Sequence, residues 1–227
     1  MRILVPIKQV PETGDVRMDP ETGTVVRAGV ETVVNPLDLY AIETALRLRE
    51  SQGGTVTALT MGPAQARKAL KEAVAMGCDD AVLVSDRSFG GSDTWATSYV
   101  LSRAVEALGG ADLIIAGERA TDGDTAQVGP GLAAWLNLPL ATYVSRVESV
   151  SDRSIVVERL AEEGYGLVEL ALPALLTVVK EIAAVRLPTL AGKKRARDLE
   201  IRVLDAANLD HDPRSEEHTS ELQSRQV

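Results

Sequence analysis

Four times between residues 2 and 137 a short apolar run is followed by a helical pattern, and this alternation constrains the fold more than any other feature. The runs lie at residues 2–7, 55–61, 81–85 and 112–116. They are short and rich in Val, Ile, Leu and Ala, with Thr interleaved in 55–61, as expected of strands buried on both faces. The helical patterns lie at 36–50, 63–76, 92–108 and 124–137. The first places Leu37, Ala41, Ala45 and Leu48 on one face, and the second Ala66, Leu70, Ala73 and Val74. The third places Trp95, Leu101, Ala104, Val105 and Leu108 inward, and the fourth carries Val128, Leu132, Trp135 and Leu136. Asn35 before Pro36 and Ser92 read as N-caps, and Gly77 as a C-cap. Repeated β-then-α units predict an α/β fold, a doubly wound, Rossmann-like parallel sheet with right-handed crossovers. Such sheets bind ligands beyond the carboxyl ends of their strands. Here those ends are the loops after Ile7, Met61, Ser85 and Ala116, and Asn35 is placed to reach the same rim.

Around this frame the pattern changes. Residues 16–27 read as a β-hairpin turning at Asp19-Pro-Glu-Thr-Gly23. Beyond Leu138, segments 141–150, 154–159 and 166–172 read as an antiparallel β extension at the sheet edge, with 174–179 as the final strand. Residues 1–180 are thus expected to form one α/β domain that includes this β extension. Residues 181–213 form a loop and the start of a C-terminal arm, and 181–197, rich in Pro, Gly and basic groups, read as exposed loop. The stretch Arg214-Ser-Glu-Glu-His-Thr-Ser-Glu-Leu-Gln-Ser224 looks like a translated sequencing adapter, so 214–227 are set aside as artefactual and the natural sequence is expected to depart near Pro213.

Composition removes several functions. Net charge is −9, which argues against general nucleic-acid binding, and the basic run Lys193-Lys-Arg-Ala-Arg197 reads as a solvated segment. No apolar run approaches the ~20 residues of a membrane span. A single cysteine, Cys78, permits no internal disulfide and reads as a buried, inert thiol. The chain is therefore expected to be cytoplasmic. The two histidines, His211 and His218, are too remote from other ligands for a metal site, and no nucleophile–base pair is legible. Any redox or transfer chemistry would come from a bound cofactor.

The most informative stretch is Gly117-Glu-Arg-Ala-Thr-Asp-Gly-Asp-Thr-Ala-Gln-Val-Gly-Pro-Gly131. A glycine-punctuated turn between a strand and a helix start leaves backbone N–H groups unpaired, and such a turn holds phosphate. The useful donors would be these amides, the Thr125 hydroxyl and the Gln127 amide. Asp124 could cap the helix, and Asp122 could face ribose or solvent. A second loop, Gly90-Gly-Ser-Asp-Thr94, has a faint likeness to the pyrophosphate loop of ATP-splitting enzymes, but it follows the third strand instead of the first.

Several pieces in order, Ile3-Leu-Val-Pro-Ile-Lys-Gln-Val-Pro11, Asn35-Pro-Leu-Asp38, Met61-Gly-Pro-Ala64, Ala75-Met-Gly77, Asp122-Gly-Asp-Thr-Ala-Gln-Val-Gly-Pro130 and Leu172-Pro-Ala-Leu-Leu-Thr177, give the chain a resemblance to the beta subunit of electron-transfer flavoproteins over residues 1–205. The resemblance implies a heterodimer with an alpha subunit that carries FAD. It implies an adenine nucleotide in this chain, with Pro6, Asn35 and Met61 at the adenosine. The phosphates would lie in the cradle 117–128, which includes Gly117, Thr121, Asp122, Gly123, Asp124, Thr125, Ala126, Gln127 and Val128. Members of one branch hold AMP there. In the electron-bifurcating branch, which the 122–130 motif resembles, the nucleotide is a second FAD that accepts hydride from NADH. The segment Arg186-Leu-Pro-Thr-Leu-Ala191 is similar to the family's partner-recognition loop, with Leu190 as the apolar anchor for an acyl-CoA dehydrogenase or similar flavoprotein. Its preceding stretch, Glu181-Ile-Ala-Ala-Val-Arg186, departs from the Asn-Glu-Pro that many relatives carry. Two readings outside this family stand beside it: a non-redox adenine-nucleotide-binding module and an ATP-splitting enzyme.

Overall fold

A computed structural model describes residues 1–12 and 31–209; the expected hairpin at 16–27 and the adapter-like tail lie outside these residues. The elements in order are β1 (Arg2–Pro6), β2 (Gln9–Pro11), β3 (Thr32–Val34), α1 (Pro36–Gln52), β4 (Thr55–Met61), α2 (Arg67–Met76), β5 (Asp80–Val84), α3 (Thr94–Ala107), β6 (Leu113–Gly117) and α4 (Val128–Trp135). There follow β7 (Leu140–Val150), β8 (Ser154–Ala161), β9 (Gly164–Ala171), β10 (Ala174–Val178), α5 (Leu190–Asp198) and β11 (Arg202–Leu204).

Most strands join one sheet in the order β11-β5-β4-β1-β6-β10-β7-β8-β9, parallel from β11 to β7 and antiparallel across β7, β8 and β9. β2 and β3 form a small antiparallel ribbon. The apolar runs are continuous because both faces are covered. Ile3, Val5, Leu113 and Ile115 pack beneath α1 and α2, on Ile42, Leu46, Leu70 and Val74. Their neighbours Leu4 and Ile114 point the other way, onto Val100, Leu101 and Leu132 of α3 and α4. Each fully buried Leu or Ile contributes roughly 1.5–3 kcal/mol.

The extension joins the sheet differently from the expected edge packing. β10 enters between β6 and β7, pairing Ala174 with Leu113 and Val178 with Gly117. Only β8 and β9 are antiparallel additions. Nor is 174–178 the last strand, since β11 pairs with β5 at the opposite edge. The expected loop at 181–197 is also corrected, because its second half is α5. Thr189 caps that helix through its Oγ1, which accepts from the Gly192 amide at 2.9 Å. Gly192 lies against the Ala75 carbonyl, where a Cβ would collide, so α2 and α5 approach closely. Ala196 is buried in the contact, and Arg195 donates to the carbonyls of Val74 and Cys78 at the end of α2. The basic run is thus a helix whose short inner face was too sparse to read as periodic.

Candidate functional site

The chain runs β1 to β4 to β5 on one side, then crosses back so that β6 lies on the other flank of β1. This reversal opens a crevice at the carboxyl ends of the strands. A cleft of about 950 Å³ lies there. Its floor is Pro6, Ile7 and Lys8 after β1, Met61 and Gly62 at β4, Ser85 and Asp86 after β5, and Ala116 and Gly117 at β6.

One wall is the stretch before α4. Gly123, Asp124, Thr125, Ala126, Gln127 and Val128 all line the cleft, as do Pro6, Met61 and Gly117. Asp124 and Ala126 take left-handed backbone conformations, with φ of 52° and 55°. Non-glycine residues rarely do so, and the cost of order 1–2 kcal/mol persists only where surroundings impose it. These two residues delay the helix, which starts at Val128 instead of Asp124. Asp124 therefore does not cap it. Its carboxylate instead pairs with Arg119 Nε at 3.2 Å. The amides of Thr125, Ala126, Val128 and Gly129 have no partner among the described residues, and Gln127 N reaches Thr125 Oγ1 only at 3.5 Å. A run of unpaired amides through alternating backbone hands is a concavity that takes anions, reinforced by the start of α4.

The opposite wall was not assigned to this site from sequence. Asp93 and Thr94 at the start of α3, Thr97, and the Gly90–Gly91 turn line the same cleft, and Thr94 Oγ1 lies 3.2 Å from Thr125 Oγ1. Two helix starts therefore meet across it. The signal was legible in the glycines of 90–94 at the end of a strand. Asp93, not Ser92, caps α3, accepting from the Ala96 amide at 2.8 Å, while the Ser92 hydroxyl donates to the Phe89 carbonyl. Trp95 is corrected too: it lies half-exposed against Trp135, ring centroids 4.6 Å apart, because α3 turns that face away from the sheet.

The rim carboxylates that would repel phosphate are engaged. Asp122 accepts from Lys8 Nζ at 2.7 Å. Asp86 accepts from the Ser88 amide and hydroxyl and from the Ala206 amide, and the Ser88 bonds hold it below the usual carboxylate range.

Asn35, Thr121 and Asp122 do not line the cleft. Asn35 makes no side-chain cap for α1; it is fully buried and staples the loop from beneath. Its Nδ2 donates to the Arg119 carbonyl at 2.8 Å, and its Oδ1 accepts from the Thr121 amide at 3.2 Å. Asp38, one turn later, does reach the cleft floor and accepts from the Lys8 amide at 2.7 Å. Burial pushes its carboxyl up to about 7, against hydrogen bonds from Lys8, Asn35 and Gly117 that lower it. Gly117 is required here, since a Cβ would collide with Asp38 Oδ1 and lie 2.9 Å from the Leu37 carbonyl carbon.

Leu190 lies apart from the cleft, at the start of α5, 86% exposed. Cys78 is buried, and burial pushes its thiol up to about 12, as expected of an inert cysteine. No helix among the described residues is long and apolar enough to cross a membrane.

The sequence profile of the electron transfer flavoprotein domain matches residues 22–209. The chain is 48% identical over 213 residues to the electron transfer flavoprotein subunit beta of Thermoanaerobacterium thermosaccharolyticum, covering 93% of this chain and 81% of that protein. It is 48% identical over 193 residues to the caffeyl-CoA reductase-Etf complex subunit CarD of Acetobacterium woodii, covering 85% and 73%. It is 46% identical over 217 residues to the protein FixA of Azotobacter vinelandii, covering 92% and 77%. A switch-point cleft walled by unpaired amides, in a chain this similar to flavoprotein beta subunits along most of its length, leads to one conclusion: the chain belongs to the electron transfer flavoprotein family, on its beta-subunit side.

Proposed function

We propose that this chain binds an adenine dinucleotide, FAD, in the switch-point cleft and works in a heterodimer with an electron-transfer flavoprotein alpha subunit. The observation that carries this reading is the set of amides of Thr125, Ala126, Val128 and Gly129, without partners among the described residues, facing a second helix start across one cleft. The amides and the Thr125 hydroxyl hold the diphosphate, and Gln127 lends its side-chain amide. Asn35, with Thr121, fixes the height of the loop, and Lys8 pairs with Asp122 beside it. Pro6 and Met61 offer apolar surface to the adenosine. FAD, when bound, supplies hydride acceptance from NADH and onward transfer of electrons, chemistry that the side chains lining the cleft lack.

The second wall, at 85–97, favours the dinucleotide over AMP, since AMP would use only part of so long a cleft. Leu190 serves as the apolar contact for an acyl-CoA dehydrogenase or similar flavoprotein. A relative named as a subunit of a caffeyl-CoA reductase-Etf complex supports work within a larger redox assembly.

Co-expression with an alpha subunit, followed by flavin spectra and an AMP assay on the same sample, tests this. Two FAD per heterodimer is the expected result. One FAD plus AMP replaces the dinucleotide with the mononucleotide, and no adenine nucleotide in this chain rejects the reading.

A further inference from the structure

The segment between Ala183 and Pro188 has no regular secondary structure and makes no main-chain to main-chain hydrogen bond among the described residues. Its backbone is held instead by side chains of α1. The Arg186 amide donates to Glu43 Oε2 at 3.1 Å, and Arg47 Nη2 donates to the Ala184 carbonyl at 3.1 Å. The Arg186 guanidinium then spans two carboxylates about two turns apart on one face of α1. Nε meets Glu43 Oε2 at 2.7 Å and Nη2 meets Glu43 Oε1 at 3.2 Å, while Nη1 and Nη2 meet Glu50 Oε1 and Oε2 at 2.5 and 3.1 Å.

Glu43 is only 2% exposed, and Arg47 Nε completes its shell at 2.7 Å. Burial pushes Glu43 up, but the hydrogen bonds from Arg186 and Arg47 bring it net below the usual range, so it stays ionised. Ile182 and Val185 pack partly against the core beside it. The residues that follow face outward: Leu187 is 84% exposed and Leu190 86%. A buried ion pair is a poor device for stability, because desolvation offsets most of its attraction, and a better one for fixing a single geometry. Arg suits this use, since its rigid fork engages two carboxylates at defined angles.

We infer that Arg186, gripped by Glu43 and Glu50, is a positioning residue that fixes the 183–190 segment on α1 so that Leu187 and Leu190 are presented together to the electron-transfer partner. This rests on the docking role proposed above for Leu190. The clamp acts by removing the entropy of ordering an otherwise unsupported loop when the partner binds.

The test uses the heterodimer with an acyl-CoA dehydrogenase as the varied partner, in parent, Glu43→Gln, Arg186→Lys, Glu50→Gln and Leu190→Ala forms. Loss of the fork raises KM for the dehydrogenase about tenfold with kcat retained, as expected when a preorganised loop must be ordered anew. Glu43→Gln and Arg186→Lys keep a tryptic site at position 186, and cleavage there accelerates about tenfold as the held fraction falls. Glu50→Gln removes only the exposed half of the clamp, preserves folding, and moves both readouts in the same direction. Leu190→Ala raises KM without changing cleavage. Unchanged cleavage in the clamp variants overturns the inference, as does an unchanged KM when Leu190→Ala raises it. An unchanged KM in Leu190→Ala defeats the docking reading itself, and the inference with it.

Discussion

Asp38 offers the sharpest physical test. Its carboxyl is buried among Lys8, Asn35 and Gly117 and is pushed from an ordinary 3.8 up to about 7. The sign follows from proton binding. Between those two values the folded protein holds a proton that the unfolded chain has released, so stability falls as pH rises from about 4 to about 7 and is level above that. This is the reverse of a salt-bridged carboxylate. Each pH unit within the window costs about 1.36 kcal/mol, so between about pH 4.5 and 8.5 this one group removes roughly 3 kcal/mol. Asp38→Asn cannot titrate. Its Oδ1 can still accept from the Lys8 amide, and any loss at Gly117 is the same at every pH. Urea unfolding of parent and variant across that range therefore separates the term, because Glu43, Glu50 and Asp86, all held low, cancel between the two. The variant should gain about 3 kcal/mol on the parent from the acid to the alkaline end. Parallel stability curves would refute the reasoning. A parent that gains on the variant as pH rises would show that hydrogen bonding outweighs burial at this site.

Asn35→Ala removes both bonds that staple the 119–121 loop and strands the Arg119 carbonyl and the Thr121 amide. Unfolding by urea should record a loss of about 2–4 kcal/mol, and calorimetric titration with ADP a weaker association; a loss under about 0.5 kcal/mol would mean that the loop is held by other means. Cys78 should resist a disulfide-exchange reagent at about pH 8 in the folded protein and react at once in urea, because its thiol is buried and pushed up to about 12. Rapid reaction of the native protein would place it near the surface.

Periodicity alone exposed the βα alternation, since strands covered on both faces leave an uninterrupted apolar signature, and Ile3, Leu4 and Val5 pack in alternate directions to satisfy it. The loop with unpaired amides was legible for a related reason: a helix start leaves its first N–H groups without intrahelical partners wherever the sheet places it. The register of α4 was not legible, because the left-handed turn at Ala126 violates the preference of that residue type and Asp124 reads as well as a cap as it does as a left-handed residue. The roles of Asn35 and Arg195 were equally hidden, since their partners are main-chain groups distant in the chain.

By itself the sequence determined the α/β class, the strand ends at which a ligand could sit, and the glycine-bearing turn before α4, all of which depend on neighbours within a few residues. Only the tertiary structure decided that β10 enters between β6 and β7, that the Thr94 and Thr125 hydroxyls meet across one cleft, and that Arg186 settles on Glu43 and Glu50. Those outcomes depend on contacts between segments that the chain separates by tens of residues, where packing and desolvation choose among partners that local propensity treats alike.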